Sequence, residues 1–281
     1  MPAGTAEPTP LRYDAGMLTL LLVSSLYAQD AGLGLTSAAD IDLDDAAANS
    51  LSYEGGLSGN APAYGKGKPI TVTHASGNVQ VRCMDVESLS GRLQYTVFGS
   101  AEGAMESFGK GIGLAVWGDS NGGGVKTRIP SKPSGVGRAQ VDLVVNIPRG
   151  TSAVTISQTG PGWVQMVECG GTVKISAGGG GAFASGPMTA ATVSASGGDV
   201  KVVTDPATVL KGSTTISAGA GNVTVVLPSA QGGKLTAKGA EVSVQQTVMG
   251  TNEATLVSGD MGVAGPAITI SAKKRAEVTQ H

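Results

Sequence analysis

The chain has 281 residues, a formal net charge of −2, 44 glycines and only 4 % aromatic residues. Nucleic-acid binding calls for a basic stripe, and a chain with 14 % charged residues in this balance carries none. Two cysteines without a close pair exclude a cysteine-ligated metal site, and glycine without a strict triplet period excludes collagen. A core short of aromatics must be filled by Val, Ile, Ala and Thr, which suit pleated, stacked strands.

Residues 18–28 form an apolar stretch ending at Ala28, followed by Gln29 and Asp30. Eleven residues are too few to cross a bilayer, so no transmembrane span is expected there. Their length and the small residue at Ala28 suit a signal peptide, so 1–28 is read as a signal peptide or N-terminal apolar segment and the protein as exported. Met1 and Met17 are both candidate starts. Residues 29–68, poor in large apolar side chains, are read as a low-complexity linker. Within it Asp40, Asp42, Asp44 and Asp45 resemble the opening of a calcium loop, but Asp45 and Leu51 stand where that loop needs Gly and Glu. The segment is therefore a solvated acidic run.

From residue 69 the pattern changes. Residues 70–81 alternate apolar and polar on both sides of a Ser76-Gly77-Asn78 turn, with Val72 and Val79 seven residues apart. Residues 86–97 and 111–117 predict further strands, 100–110 a short helix or excursion, and 121–138 a surface loop with Gly122-Gly123-Gly124 and two prolines. Residues 141–147 predict a strand ending at Pro148-Arg149-Gly150.

A phrase then recurs six times, starting at Ile156, Ile175, Val193, Ile216, Leu235 and Leu256. Each copy runs from an apolar residue through a Gly-rich centre to an apolar or small residue seven places on. A period of about 20 residues marks a solenoid, whose repeats bury their apolar faces by stacking. The expected fold is all-β, a single-chain parallel β-helix over 69–270, with 271–281 as a C-terminal tail. Lys273-Lys274-Arg275 is read as part of that solvated tail. The six starting residues should form one inward column and the positions seven later another. Asp199 and Asn222, and the asparagines Asn78 and Asn146, are candidates for polar stacking between rungs.

The run Val141-Asp-Leu-Val-Val-Asn-Ile-Pro148-Arg149-Gly150, followed by Ser196-Gly-Gly-Asp-Val-Lys-Val202 and Ala220-Gly-Asn-Val-Thr-Val-Val-Leu-Pro228, resembles the bacterial DUF4097 family of proposed adhesins, relatives of autotransporter-type adhesin head domains. The resemblance covers about 70–270. In its turns Trp163 and Ala182 stand in place of Val, and Gly162 and Gly181 in place of Asp. It implies a β-solenoid of the cell envelope and brings no catalytic residues with it.

The chemistry-bearing residues are few. His74 sits in an alternating strand and His281 at the terminus, so a Ser-His-Asp triad has one base to draw on and no nucleophile elbow. Asp85 with Glu87, and Glu102 with Glu106, are the closest carboxylate pairs and read as surface charges. Two Gly-Lys pairs, ending at Lys66 and Lys110, miss the phosphate-loop spacing and its Ser or Thr. Trp117 and Trp163 are either sugar-stacking platforms or buried packing residues. Cys83 and Cys169 are either bridged, as export permits, or small core residues.

No catalytic, cofactor-binding or metal residue is assigned, and no cofactor is expected. The reading is a non-enzymatic, exported, adhesin-like or scaffolding protein with a surface glycan, a protein ligand or itself as partner. A filament former stacking end to end is the alternative. A polysaccharide-acting enzyme is the least supported.

Overall fold

The computed structural model describes residues 51–245 and 247–281. The apolar stretch ending at residue 28, both candidate starts and the acidic run at 40–45 lie outside the described residues.

Strands build two large sheets, of ten and eleven members. Most come as pairs that place one strand in each sheet. In spatial order these are β6 (Gly123–Arg128) with β7 (Val136–Pro148), β2 (Ile70–His74) with β3 (Val79–Met84), β8 (Ala153–Gln158) with β9 (Val164–Val167), and β10 (Gly171–Ala177) with β11 (Ala182–Gly186). Then follow β12 (Met188–Ala195) with β13 (Val200–Thr204), β14 (Thr214–Ala218) with β15 (Val223–Leu227), β20 (Ala267–Ala272) with β21 (Arg275–Gln280), and β16 (Lys234–Lys238) with β17 (Glu241–Val244). Neighbouring pairs meet in parallel in both sheets.

The expectation of a single-chain parallel β-helix is corrected in two ways. The sheets are mixed, because antiparallel strands are added at their ends. In the ten-stranded sheet these are β4 (Leu89–Gly99) and β1 (Leu51–Ala61), and in the eleven-stranded sheet β5 (Gly113–Gly118) at one end and β19 (Leu256–Asp260) with β18 (Met249–Glu253) at the other. The layers also leave chain order at both ends: β2/β3 lies between β6/β7 and β8/β9, and β20/β21 between β14/β15 and β16/β17. Residues 29–68 thus supply β1, residues 271–281 supply β21, and β6 falls inside the segment read as a surface loop. Among the described residues the helix α1 (Glu102–Gly111) occupies the stretch expected to be a helix or excursion and buries Met105 and Phe108.

The core lies between the sheets. In the eleven-stranded sheet, Val72, Ile156, Ile175, Val193 and Ile216 stand side by side and are buried. That column continues through Ile270 and Ala237, not Leu235, which pairs with Ile268 and is buried in the adjacent column. Leu256 is half-buried opposite Lys238, and Val257 takes the inward place beside Ala237. In the facing sheet Val79, Val164, Ala182, Val200 and Val223 form the second column, joined by Ala276 and Val242. Trp163 and Val263, expected in it, are 37 % and 71 % exposed. The corner after Ile156 is one residue longer than the common seven-residue step, and that after Ile270 one shorter, so a fixed interval misplaces both.

The corners explain part of the glycine content. At Gly77, φ is +105°, and a Cβ would strike the Val141 carbonyl; at Gly162, φ is +125°, and a Cβ would strike that of Gly77. Stacked turns approach too closely there for any side chain.

Candidate functional site

Beside these glycines, side chains tie one corner to the next. Asn222 donates from its backbone N–H and its Nδ2 to Asp199 Oδ1 at 2.7 and 3.2 Å, and its own Oδ1 accepts the Arg275 N–H at 3.2 Å. Asp142 accepts the Asn78 N–H, and Asn78 the Trp163 N–H, each at 3.2 Å. The expected polar stacking therefore exists at Asn78 and Asn222, each next to an aspartate. Asn146 instead reaches Ser90 across β4. These bonds satisfy exposed backbone donors and leave no acid pair.

The residues of catalytic type do not converge. His74 is buried, bonded through Nδ1 to Thr127 Oγ1 at 2.8 Å and through Nε2 to the Val141 carbonyl at 3.1 Å. A carbonyl only accepts, so Nε2 carries the proton and Nδ1 accepts from Thr127. Burial lowers the His74 pKa, partly opposed by the Val141 bond and the Asp142 charge. His281 Nε2 bonds the Thr204 carbonyl at 2.7 Å. Asp85 and Glu168 both pair with Arg149, at 3.2 and 2.9 Å, and Glu106 pairs with Lys110 at 2.7 Å. Arg149, the centre of the Pro-Arg-Gly junction, thus clips together the ends of β3, β7 and β9. Glu168 there is followed by Cys169, which forms a disulfide with Cys83. Among the described residues no three His, Cys, Asp or Glu side chains gather as metal ligands.

What the fold does assemble is a surface. In the eleven-stranded sheet the residues on either side of the buried column point outward. They read Thr71-Val72-Thr73, Thr155-Ile156-Ser157, Lys174-Ile175-Ser176, Thr192-Val193-Ser194, Thr215-Ile216-Ser217 and Thr269-Ile270-Ser271, ending at Thr236-Ala237-Lys238. The register puts the first residues of these triplets in one row and the third residues in another. Strand geometry sets the steps of this array at about 4.8 Å between strands and about 6.6 Å between rows. Two hydroxyls are used within the sheet: Ser194 Oγ donates to the Ile175 carbonyl at 3.4 Å, and Thr236 Oγ1 meets Ser258 Oγ at 3.2 Å. The other hydroxyls in the rows have no hydrogen bond to another described residue.

The array carries no carboxylate. Lys174 interrupts the first row, and Lys126 and Lys238 end the second. The flank beside the first row reads Ala153, Thr172 and Ala190, with Ala267 and Lys234 further along. At one end Trp117, 46 % exposed, lies over Gly124, where a Cβ would come within 2.4 Å of its ring, next to Thr71 in the first row. Of the two alternatives for Trp117 and Trp163, burial is thus excluded for both. The repeat, read from its apolar residue onward, hides this array. The signal was the hydroxyl residue standing both before and after that apolar position in copy after copy.

No helix among the described residues is long and apolar enough to cross a membrane. No family model matches the chain, so the DUF4097 resemblance stands on its motifs alone, and no curated protein matches either. Three solved structures are similar at low identity. A proposed cell adhesion protein from Clostridium sporogenes is 15 % identical with a TM-score of 0.46, covering 82 % of this chain and 100 % of its own. A proposed adhesin from Bacteroides fragilis is 9 % identical with a TM-score of 0.33, covering 81 % and 97 %. A proposed lipid-binding protein from Parabacteroides distasonis is 11 % identical with a TM-score of 0.28, covering 83 % and 94 %.

Proposed function

We propose that this protein is a non-enzymatic, exported, adhesin-like scaffold of the cell envelope, solenoid-like in its parallel middle and of DUF4097 type, whose working surface is the outer face of the eleven-stranded sheet. The observation that carries this reading is the pair of hydroxyl rows, repeated in register over successive layers. A catalyst needs a convergent acid, base, nucleophile or metal, and among the described residues His74, Asp199, Asp85, Glu106 and Glu168 are each engaged in a structural hydrogen bond or surface ion pair. The Cys83–Cys169 disulfide supports export, because such bonds persist in oxidising compartments.

The filament alternative is opposed by the end strands. Three of the four sheet edges finish in an antiparallel strand, and at the fourth, β17, the Val242 N–H is taken by the Ala254 carbonyl at 2.8 Å. The parallel repeat of the middle layers is therefore not carried through to the three antiparallel edges.

The test is adhesion of beads coated with the protein to the cells or surfaces of its natural setting. Thr215→Tyr, on the proposed face, should abolish adhesion, and Thr224→Tyr, on the opposite sheet, should leave it intact. Equal adhesion by both variants rejects the assigned face. Turnover of any glycan in a panel incubated with the protein rejects the non-enzymatic reading.

A further inference from the structure

The hydroxyl rows have an order that a soluble ligand does not need. A glycan or peptide is recognised by a few convergent groups in a concave site. Here the groups diverge from a sheet, lie in two parallel lines and recur in register from layer to layer, with Lys174 as the one interruption. Such a surface matches a ligand that is itself a lattice.

From this we infer that the outer face of the eleven-stranded sheet binds the ordered water lattice of ice. Three observations carry this. The first is the spacing: the step of about 4.8 Å from strand to strand along each row is close to the oxygen repeat along the a axis of hexagonal ice, while the step of about 6.6 Å between the two rows is shorter than its c repeat. Water held between neighbouring hydroxyls of one row therefore lies in near register with a crystal face. The second is chemistry. Threonine and serine hydroxyls both donate and accept, as lattice water does, and the threonine methyls between them shed their own hydration when a surface closes over them. The third is what the rows lack. They hold no carboxylate, and Lys174 is the one charged residue inside them. The face offers no strip of aromatic rings for stacking on sugar rings, since its one ring, Trp117, stands at one end over Gly124.

The binding is non-covalent, and its strength comes from the number of hydroxyls in register. Lys174 is the weak point, since its long charged side chain rises from the threonine row and holds water in a non-lattice arrangement.

This inference rests on the reading of that face as the working surface, and the experiment separates the two. Purified full-length protein is assayed for ice-crystal shaping, thermal hysteresis and inhibition of ice recrystallisation, with circular dichroism confirming that each variant is folded. The wild type should shape crystals and show hysteresis. Thr215→Tyr should lose most of it and Thr224→Tyr should keep it. Lys174→Thr, which completes the row by an exposed substitution, should raise the hysteresis above wild type. Absence of any effect of the wild-type protein on ice overturns the inference, as does equal loss in both tyrosine variants. Retention by insoluble cellulose or chitin that depends on Thr215, with no effect on ice, also overturns it and assigns the face to a glycan. If Thr215→Tyr abolishes adhesion but the protein leaves ice unchanged, the ligand is wrong and the face stands; if neither assay responds to Thr215, both readings fall.

Discussion

Ile216 lies in register with Ile270, while Leu235, nearer in sequence and the start of a recognisable repeat, stands beside Ile268 one column over. The last strands of the chain are therefore interior members of both sheets. Removing residues 267–281 would strip β20 and β21 from between β14/β15 and β16/β17 and leave two sets of edges unpaired. The expected result is loss of the cooperative thermal transition and rapid proteolysis from residue 228 onward. A truncated protein that melts like the full chain would contradict the observed layer order.

Val200 is buried between Ala182 and Val223. Val200→Asp places a carboxylate there without a partner, and the cost is about 4 kcal/mol, reduced to the extent that the group takes up a proton. Its neighbour Lys201 faces outward, and Lys201→Asp should shift stability by no more than about 0.5 kcal/mol. Urea denaturation of the two variants checks the pair; equal effects would mean that the strand is turned the other way.

Much of this register was legible in advance, and the reasons are local. Ile156, Ile175, Val193 and Ile216 alternate with polar residues and are followed by Gly-rich corners, so period and turn chemistry agree. Where corner length varies, a fixed step fails: it chose Trp163 over Val164 and overlooked Ile270 with Ala276. β6 was hidden because Gly122-Gly123-Gly124 reads as a loop, although Gly124 is needed to admit the Trp117 ring. Sequence order also carries no information on the insertion of β20/β21 between earlier layers, which only long-range pairing reveals. The hydroxyl rows were present letter by letter, but their meaning arises once neighbouring strands are in register.

The Cys83–Cys169 disulfide spans 86 residues and joins β3 to the end of β9, two strands already paired side by side. Closing so long a loop restricts the unfolded chain, and its loss should cost about 2–5 kcal/mol. Reduction, or the double substitution Cys83→Ala with Cys169→Ala, should lower the denaturation midpoint while leaving the circular dichroism spectrum unchanged. An unchanged midpoint would show that the bridge adds nothing beyond the strand pairing.

The pH dependence follows from His74. Its folded pKa is lowered, chiefly by burial, so the unfolded chain binds the proton more readily. Stability from this group is complete above its unfolded pKa of about 6.5 and is lost as pH falls below it, by up to about 1.4 kcal/mol per pH unit. Denaturation between pH 7.5 and pH 5 should show this slope in the wild type and a shallower one in His74→Gln. Parallel profiles for the two proteins would remove His74 as the source.

The inserted position of β20/β21 also bears on biosynthesis. The chain is made from its N-terminus, so β16 to β19 emerge before the strands against which β16 and β17 must pair. Until β20 and β21 are made, β16 and β17 lack the strands that join them to the earlier layers, whereas the layers from β8/β9 to β14/β15 can stack as they appear. Docking of β16 and β17 onto the earlier layers thus waits for the synthesis of β20 and β21. A polypeptide that stops before Ala267 would leave β14, β15, β16 and β17 without the partners between them and present those edges for degradation.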